Sequence, residues 1–501
     1  MLSRFWLTLG ATVVLLVYML PFLINRFRQG PFLIVAVEDE EIYLGRVMDA
    51  YRGGSLGNPY LAEHQDAPRF MPELAERLLA LTAHLTGLDP LLVVAASRVV
   101  FPALIYALLW TLARGLGMEP RLAMLAAMLS PLAPTISWLA SADSGKGFFR
   151  YFRTISPAFY VVLLLLVMRL VQIAWRKAFW WIGLLAGAGL GLLFYATPVY
   201  YWSSAIGGVI CLALFTMGRV RVTMLTSILV ALIIGFPFFA NVLRQEQMPD
   251  VQATLARLDL LIPGRSPDIY ATRSFVLAVL VLAPVLLWRR RLGESGRFLI
   301  PFMCVGTLFM VQNVVTNRHL QGYHWIECLI PVWSLAAVAF LQNSIQSFRS
   351  VYFNALISVL AAGAIFLQAN GYVRWAESQK EDVEFWSLDA LMPRTLNWLN
   401  QHTPVNSVVI ADPDIMDSLV LFTHNKVYWA DYASQHVIPE WEVEARTRSL
   451  ESWRPDGAGH LPFRADFHLG TGPACLNLNA KELLYRDITE GTCVAPVSSS
   501  R

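Results

Sequence analysis

The sequence predicts an all-α polytopic membrane bundle with a small C-terminal soluble α/β domain, and three observations carry that expectation. The first is composition: of 501 residues, 56% are hydrophobic and only 15% charged, against about 25% charged in soluble domains, and mean hydropathy is +0.50. The second is a recurrence of apolar segments of about 20 residues, the length that crosses a hydrocarbon core, which stops near residue 370. The third is charge: Lys and Arg gather in alternate loops, as in cytoplasmic loops of membrane proteins. The net charge of +3 is too slight to imply nucleic-acid binding, and no basic tail, P-loop, zinc-ligand spacing or repeat is visible.

Taken in order, roughly eleven spans are expected, near 5–24, 90–112, 121–140, 156–175, 178–198, 200–217, 222–243, 273–288, 298–316, 322–341 and 350–369. The first is too long for a signal-peptide core, and no small-x-small cleavage site follows it. The break at Tyr195-Ala196-Thr197-Pro198 is short, and merging the two spans beside it would invert everything downstream. Loop charge argues that they are separate. With the N-terminus inside, the inner loops hold Arg114 and Arg121, Arg176 and Lys177, Arg219 and Arg221, Arg289, Arg290, Arg291 and Arg297, and Arg349. The acidic loop 25–89 and the region after 370 then lie outside.

That first outer loop is patterned. Ile42, Val47 and Tyr51 give one apolar side of a short helix, which Gly53-Gly54 ends. A second helix runs from Pro72 through Leu78, Leu79, Leu81 and Leu85 to Gly87. Two amphipathic helices beside a span suggest elements lying along a membrane surface. The tail reads as helix (Leu391 to Leu399), buried strand (Ser407-Val408-Val409-Ile410), helix (Asp412 to Phe422) and strand (Lys426-Val427-Tyr428-Trp429). Alternation of this kind suggests a small parallel sheet. The expected division is a membrane domain over 1–373, outer loop included, and a soluble domain over 374–501. Cys211, Cys304 and Cys328 lie in apolar spans, whereas Cys475 and Cys493 lie in the polar tail. An outside compartment permits a disulfide between that last pair.

Several polar groups stand out against the apolar background. Glu38-Asp39-Glu40-Glu41 heads a helix-like stretch just beyond the first span. A carboxylate there can deprotonate an acceptor hydroxyl within hydrogen-bond reach, and it also suits a helix N-terminus for purely electrostatic reasons. Asp39 and Tyr43 are four apart and share a face. Lys146, Arg150 and Arg153 sit in a loop expected outside, against the positive-inside trend; a lipid-linked phosphate or ordinary anionic headgroups would explain them. Arg98 lies inside a span and is expected to face the interior. Arg318, His319, His324 and Glu327 lie at span ends, where ionisable groups are functional candidates; Glu327 is expected to tie helices together. Glu63 and His64 in the outer loop are further candidate substrate contacts. Tyr195, Tyr200, Tyr201 and Trp202 are expected to form an interfacial aromatic belt.

The order of these parts resembles the GT-C superfamily of glycosyltransferases: span, outer loop with an acidic motif, surface helices, bundle, soluble outer domain. Asp39-Glu40-x-x-Tyr43 is similar to the Asp-Glu motif of aminoarabinose transferases and protein O-mannosyltransferases. Tyr151-Phe152-Arg153-Thr154-Ile155-Ser156-Pro157 and the stretch from Thr316 to Trp325 look like segments of uncharacterised bacterial membrane proteins of the same layout. Asp66-Ala67-Pro68-Arg69 stands where the aminoarabinose branch carries Lys-Pro-Pro, and the Trp-Trp-Asp motif of oligosaccharyltransferases is absent, so neither donor nor acceptor carries over. The resemblance implies an inverting transfer from a polyprenyl-phosphate-linked sugar to a glycan, lipid or protein acceptor at the outer face of a bacterial inner membrane. Asp39 would be the base, with Glu40 its neighbour, and Arg150, Arg153 and Arg318 would stabilise the leaving phosphate. A divalent metal is compatible with that chemistry, although no ligand set is evident. The alternative readings are a transporter or flippase for lipid-linked glycans, with Arg98, His324 and Glu327 along its path, and a non-catalytic assembly protein that kept the fold.

Overall fold

A computed structural model describes residues 2–27, 40–132, 151–344 and 392–497, apart from residues 70, 152, 259, 268, 288, 453–460, 472–483 and 488–491, together with residues 359, 362, 363 and 366. The chain is an integral membrane protein. Among the described residues, Ser3–Ile24, Pro90–Gly115, Thr154–Lys177, Gly218–Gln245 and Ile326–Asn343 are long and apolar enough to cross a membrane, and Pro120–Leu132, Trp180–Ala196, Val199–Phe215 and Ala271–Leu287 are shorter apolar helices. The segment 350–369 lies largely outside the described residues.

Contacts divide the chain into two compact units. One is Met1–Phe32, Val94–Asn241 and Asp259–Ser378; the other is Leu33–Val93, Val242–Leu258 and Gln379–Arg501. The expected division at residue 373 kept the first outer loop with the bundle, whereas its internal contacts group it with the tail. Ion pairs there join segments almost 400 residues apart, Lys426 with Asp49 and His64 with Glu442, and no local pattern reveals them.

The first unit is a helical bundle held by close approach and buried hydrogen bonds. Gly183, Gly187 and Gly191 recur every four residues on Trp180–Ala196, one helix face. A Cβ at these positions would stand 2.7 Å from Thr223 O, 2.6 Å from Ser227 O and 2.7 Å from Ile234 Cβ of the helix Gly218–Gln245. Ser227 Oγ donates across the same seam to Gly183 O at 3.0 Å. Small residues serve this purpose in membranes, where lipid gives helices no hydrophobic reason to associate. Elsewhere in the bundle, Gln172 Nε2 donates to Leu112 O at 2.9 Å, and Tyr18 Oη to Pro131 O at 2.7 Å.

One end of this bundle fixes the relative sidedness of its loops. Arg176 pairs with Glu294 at 3.4 Å, Ser295 Oγ donates to Leu116 O at 3.1 Å, and Glu119 N donates to Gln342 Oε1 at 3.0 Å. The loops near 116, 177 and 294 are therefore on one side, as their shared basic character predicts. Trp180–Ala196 and Val199–Phe215 are separate helices. Thr197 (φ −143°, ψ 153°) and Pro198 (φ −58°, ψ 163°) break the chain between them. At the other end, β1 (Leu260–Pro263) pairs antiparallel with β2 (Arg318–Leu320).

The second unit combines the outer-loop helices Glu40–Tyr51 and Leu74–Thr86, the helix Pro249–Arg257 and an α/β tail. The expected helix stop at Gly53 is real, with φ +80°, and Gly87 caps the second helix at φ +68°. That helix buries Ala75, Glu76, Leu79, Ala80 and Ala83 but exposes Leu74, Leu78, Leu81 and Leu85. The sheet runs in the order β4 (Lys426–Val427), β3 (Val408–Ile410), β5 (Phe467–Thr471), β7 (Thr492–Pro496), β6 (Tyr485–Asp487). β3 is parallel to both β4 and β5, but β7 is antiparallel to β5 and β6. The expected parallel sheet is thus a mixed one. β3 is buried along its whole length, which is why an unbroken Val-Val-Ile run marked it.

Candidate functional site

In the bundle unit, hydrogen bonds and ring contacts bring several of the singled-out residues into one neighbourhood. Arg98 is wholly buried on the helix Pro90–Gly115. Its neighbour Ser97 donates to Thr154 Oγ1 at 3.3 Å, and Thr154 Oγ1 donates to Val94 O at 3.3 Å. Arg153, half-buried and extended (φ −72°, ψ 116°), immediately precedes Thr154. Two arginines thus flank a single interhelical contact. One turn beyond Arg98, Phe101 packs on Phe159 at 5.6 Å between ring centroids. Tyr160 follows and meets Tyr201 at 5.4 Å.

Tyr201 leads to the second polar group. Its hydroxyl donates to Glu327 Oε2, while Glu327 Oε1 lies 3.4 Å from His324 Nδ1. The His324 ring sits 4.9 Å from that of Tyr200. Trp325 is wholly buried and donates through Nε1 to Ser203 Oγ at 3.1 Å. Arg318 is exposed and His319 half-buried, both on β2, just ahead of this turn. The expectation of an interfacial belt fails for Tyr201, which is fully buried as the partner of Glu327. Adjacent aromatics at a span end carried no sign of which one faces a carboxylate.

The second unit holds several of the other candidates. Glu40 opens the helix Glu40–Tyr51 and is buried, and Tyr43 is half-buried one turn on. Asp39, Lys146, Arg150 and Cys475 lie outside the described residues. Glu63 and His64 are bound into a cluster on the helix Glu440–Ser452: Glu63 pairs with Arg446 at 3.1 Å and His64 Nε2 with Glu442 Oε2 at 2.8 Å. Arg446 also pairs with Glu442 at 2.8 Å and lies 4.2 Å over the Phe463 ring. Burial alone would push the Glu442 carboxyl up; the hydrogen bond from His64 and the Arg446 charge outweigh it and hold it below the usual carboxylate range. These partners make Glu63 and His64 part of an ionic joint between the outer loop and the tail. Nothing in the sequence around Glu442 or Arg446 signalled that joint, since an i, i+4 acid–base pair on a helix is ordinarily solvated.

Two further buried groups complete the same unit. Lys426 Nζ donates to Asp49 Oδ1 at 3.0 Å and to Pro59 O at 2.8 Å. Burial lowers the Lys426 pKa, and Asp49 partly restores it. His436 is pushed down to about 3 by burial and by the Arg46 charge, against a hydrogen bond to the Gly57 backbone. Cys493 is disulfide-bonded, whereas Cys211, Cys304 and Cys328 are free. No group of three potential metal ligands occurs among the described residues.

No protein-family model matches the chain, and no curated protein sequence does. Solved structures do match. One is ArnT from Cupriavidus metallidurans bound to undecaprenyl phosphate, at 14% identity and a TM-score of 0.55, over 99% of this chain and 98% of that one. Another is the oligosaccharyltransferase of Archaeoglobus fulgidus in the apo form, at 11% identity and a TM-score of 0.51, over 93% of this chain and 69% of that one. A third is AglB of the same organism in complex with an inhibitory peptide and a dolichol-phosphate, at 12% identity and a TM-score of 0.50. At such identities the likeness concerns the fold. The chain has the GT-C fold that the order of its segments resembles.

Proposed function

We propose that the chain is an inverting glycosyltransferase that moves a sugar from a polyprenyl-phosphate-linked donor to an acceptor at the outer face of the membrane. The observation that carries this reading is end-to-end likeness of fold, over 99% of the chain, to a structure that holds undecaprenyl phosphate. Arg98 buried in the bundle and Arg153 beside it support it. A lipid phosphate is an anion that guanidinium binds well, and cations inside a membrane mark functional sites.

The reaction assigns each group a task. Asp39 takes the proton of the acceptor hydroxyl as that oxygen attacks the sugar carbon from the face opposite the leaving group. The bond to the lipid phosphate breaks, and Arg150, Arg153 and Arg318 compensate the charge that develops there. We place the N-terminus in the cytoplasm and the second unit outside a bacterial inner membrane; the shared side of the basic loops near 116, 177 and 294 supports that orientation. The exposed leucines of Leu74–Thr86 then suit a helix lying at the outer membrane surface.

The test compares two conservative variants in a transfer assay. Asp39→Asn keeps shape and removes the basic oxygen, so transfer should fall by about 100-fold or more. Glu41→Gln should matter far less. Full transfer by Asp39→Asn would remove the base from the scheme.

A further inference from the structure

We propose that Glu327 is a positioning residue that aims the His324 imidazole at a phosphate oxygen of the lipid-linked donor; the inference rests on the glycosyltransferase reading above. Glu327 is a buried carboxylate in the first turn of the span Ile326–Asn343. An ionisable group at such a place needs named partners, and it has them on both oxygens. Oε2 accepts from the fully buried Tyr201 hydroxyl. Oε1 faces His324 Nδ1 at 3.4 Å.

The arrangement exceeds what a clip between helices requires. Tyr201 lies on Val199–Phe215, so the Tyr201–Glu327 bond alone joins two helices. That bond also prevents the carboxylate from rotating, which fixes the position of Oε1. His324 meets Oε1 from the turn Gly322–Trp325. The turn is itself pinned to the same helix by Trp325 donating to Ser203. The Tyr200 ring forms a wall for the imidazole. The His324 side chain remains about a quarter exposed, at 26%, while Glu327 behind it is at 8%. The ring therefore turns Nδ1 inward and its opposite edge, with Nε2, away from the carboxylate.

A histidine held in this way has a set orientation, because the bond at one nitrogen decides what the other presents. Between a carboxylate and a phosphate oxygen, the imidazolium form uses both N–H groups: Nδ1–H toward Glu327 and Nε2–H toward phosphate. The ligand class is a phosphate ester of a lipid. Glu327 itself need not touch it.

The test is a double-mutant cycle on binding. Undecaprenyl phosphate is titrated into the purified full-length chain in nanodiscs, with the thermal stability of each variant recorded. Glu327→Gln and His324→Ala should each weaken binding about tenfold. The double variant should be no weaker than His324→Ala alone, because Glu327 acts through the ring. Tyr201→Phe frees the carboxylate from one side and should weaken binding about threefold. Wild-type affinity in Glu327→Gln, or single effects that multiply in the double variant, would overturn the proposal and leave the glycosyltransferase reading intact. If Glu327→Gln does not fold, wild-type affinity in Tyr201→Phe overturns it. A wild-type chain that binds no undecaprenyl phosphate sinks the glycosyltransferase reading, and this inference with it.

Discussion

Replacing Lys426 with Met should unlatch the first outer loop from the C-terminal tail. The Lys426 ammonium and the Asp49 carboxylate are both more than nine-tenths buried, and 377 residues separate them in sequence. Met preserves most of the stem and removes the charge. Asp49 Oδ2 then keeps the Leu56 N–H at 3.1 Å, but Oδ1 loses its ammonium, and Pro59 O loses its 2.8 Å donor. Breaking a buried pair from one side costs about 3–5 kcal/mol, most of it the penalty of the charge left behind. Adding Asp49→Asn removes that charge and keeps an acceptor for Leu56. The double variant should therefore recover about 2 kcal/mol relative to Lys426→Met. Hydrogen exchange at residues 40–51 and 426–429 of the purified chain is the assay, since opening of this joint need not unfold the bundle. Lys426→Met should speed exchange in both segments together. Exchange within a factor of two of wild type, or a double variant as labile as the sum of its singles, would refute the electrostatic reasoning.

Other outcomes follow from the same structure. His436 stays neutral in the fold down to about pH 3, whereas in the unfolded chain it takes a proton below about 6.5. Its contribution is therefore complete above pH 6.5 and drains as pH falls toward 3, by roughly 5 kcal/mol at about 1.4 kcal/mol per unit. His436→Gln should flatten the acid limb of a stability–pH curve, and an unchanged slope would contradict this. Gly187→Leu should abolish accumulation of folded protein in the membrane, because its Cβ would stand 2.6 Å from Ser227 O; normal yield by size-exclusion chromatography would disprove the close seam. Cys493→Ser should lower stability by about 2–4 kcal/mol. Cys475→Ser is expected to do the same, since Cys211, Cys304 and Cys328 are free, and wild-type stability in it would contradict the stabilising role of this disulfide.

What could be read in the sequence was what repeats locally. Apolar segments of span length, basic alternate loops, Gly53 and Gly87 after amphipathic stretches and the Val-Val-Ile strand all express burial or turn geometry within a few residues. The interior location of Arg98 was legible for the same reason, since a charge in mid-span has few places to face. The partnerships were not legible. Asp49 with Lys426, His64 with Glu442 and Tyr201 with Glu327 each join distant segments, and any acid, base or tyrosine could have filled either place on sequence grounds. The antiparallel half of the sheet was missed because β6 and β7 end a tail whose earlier strands alternate with helices, a pattern that suggests parallel pairing. The helix Pro249–Arg257 went unmarked because its nine residues are too few to stand out as a span; Arg257 donates from it to Ile438 O at 3.1 Å.

The most direct measurement distinguishes making a bond from moving a lipid. Membranes with the wild-type chain or Asp39→Asn are supplied with a pool of polyprenyl-phosphate-linked sugars, and mass spectrometry follows donor, released polyprenyl phosphate and glycosylated product. The glycosyltransferase reading predicts loss of one donor sugar in step with release of polyprenyl phosphate and gain of product, slowed about 100-fold or more by Asp39→Asn. Intact donor that only changes leaflet, or consumption at equal rates with both chains, would contradict it.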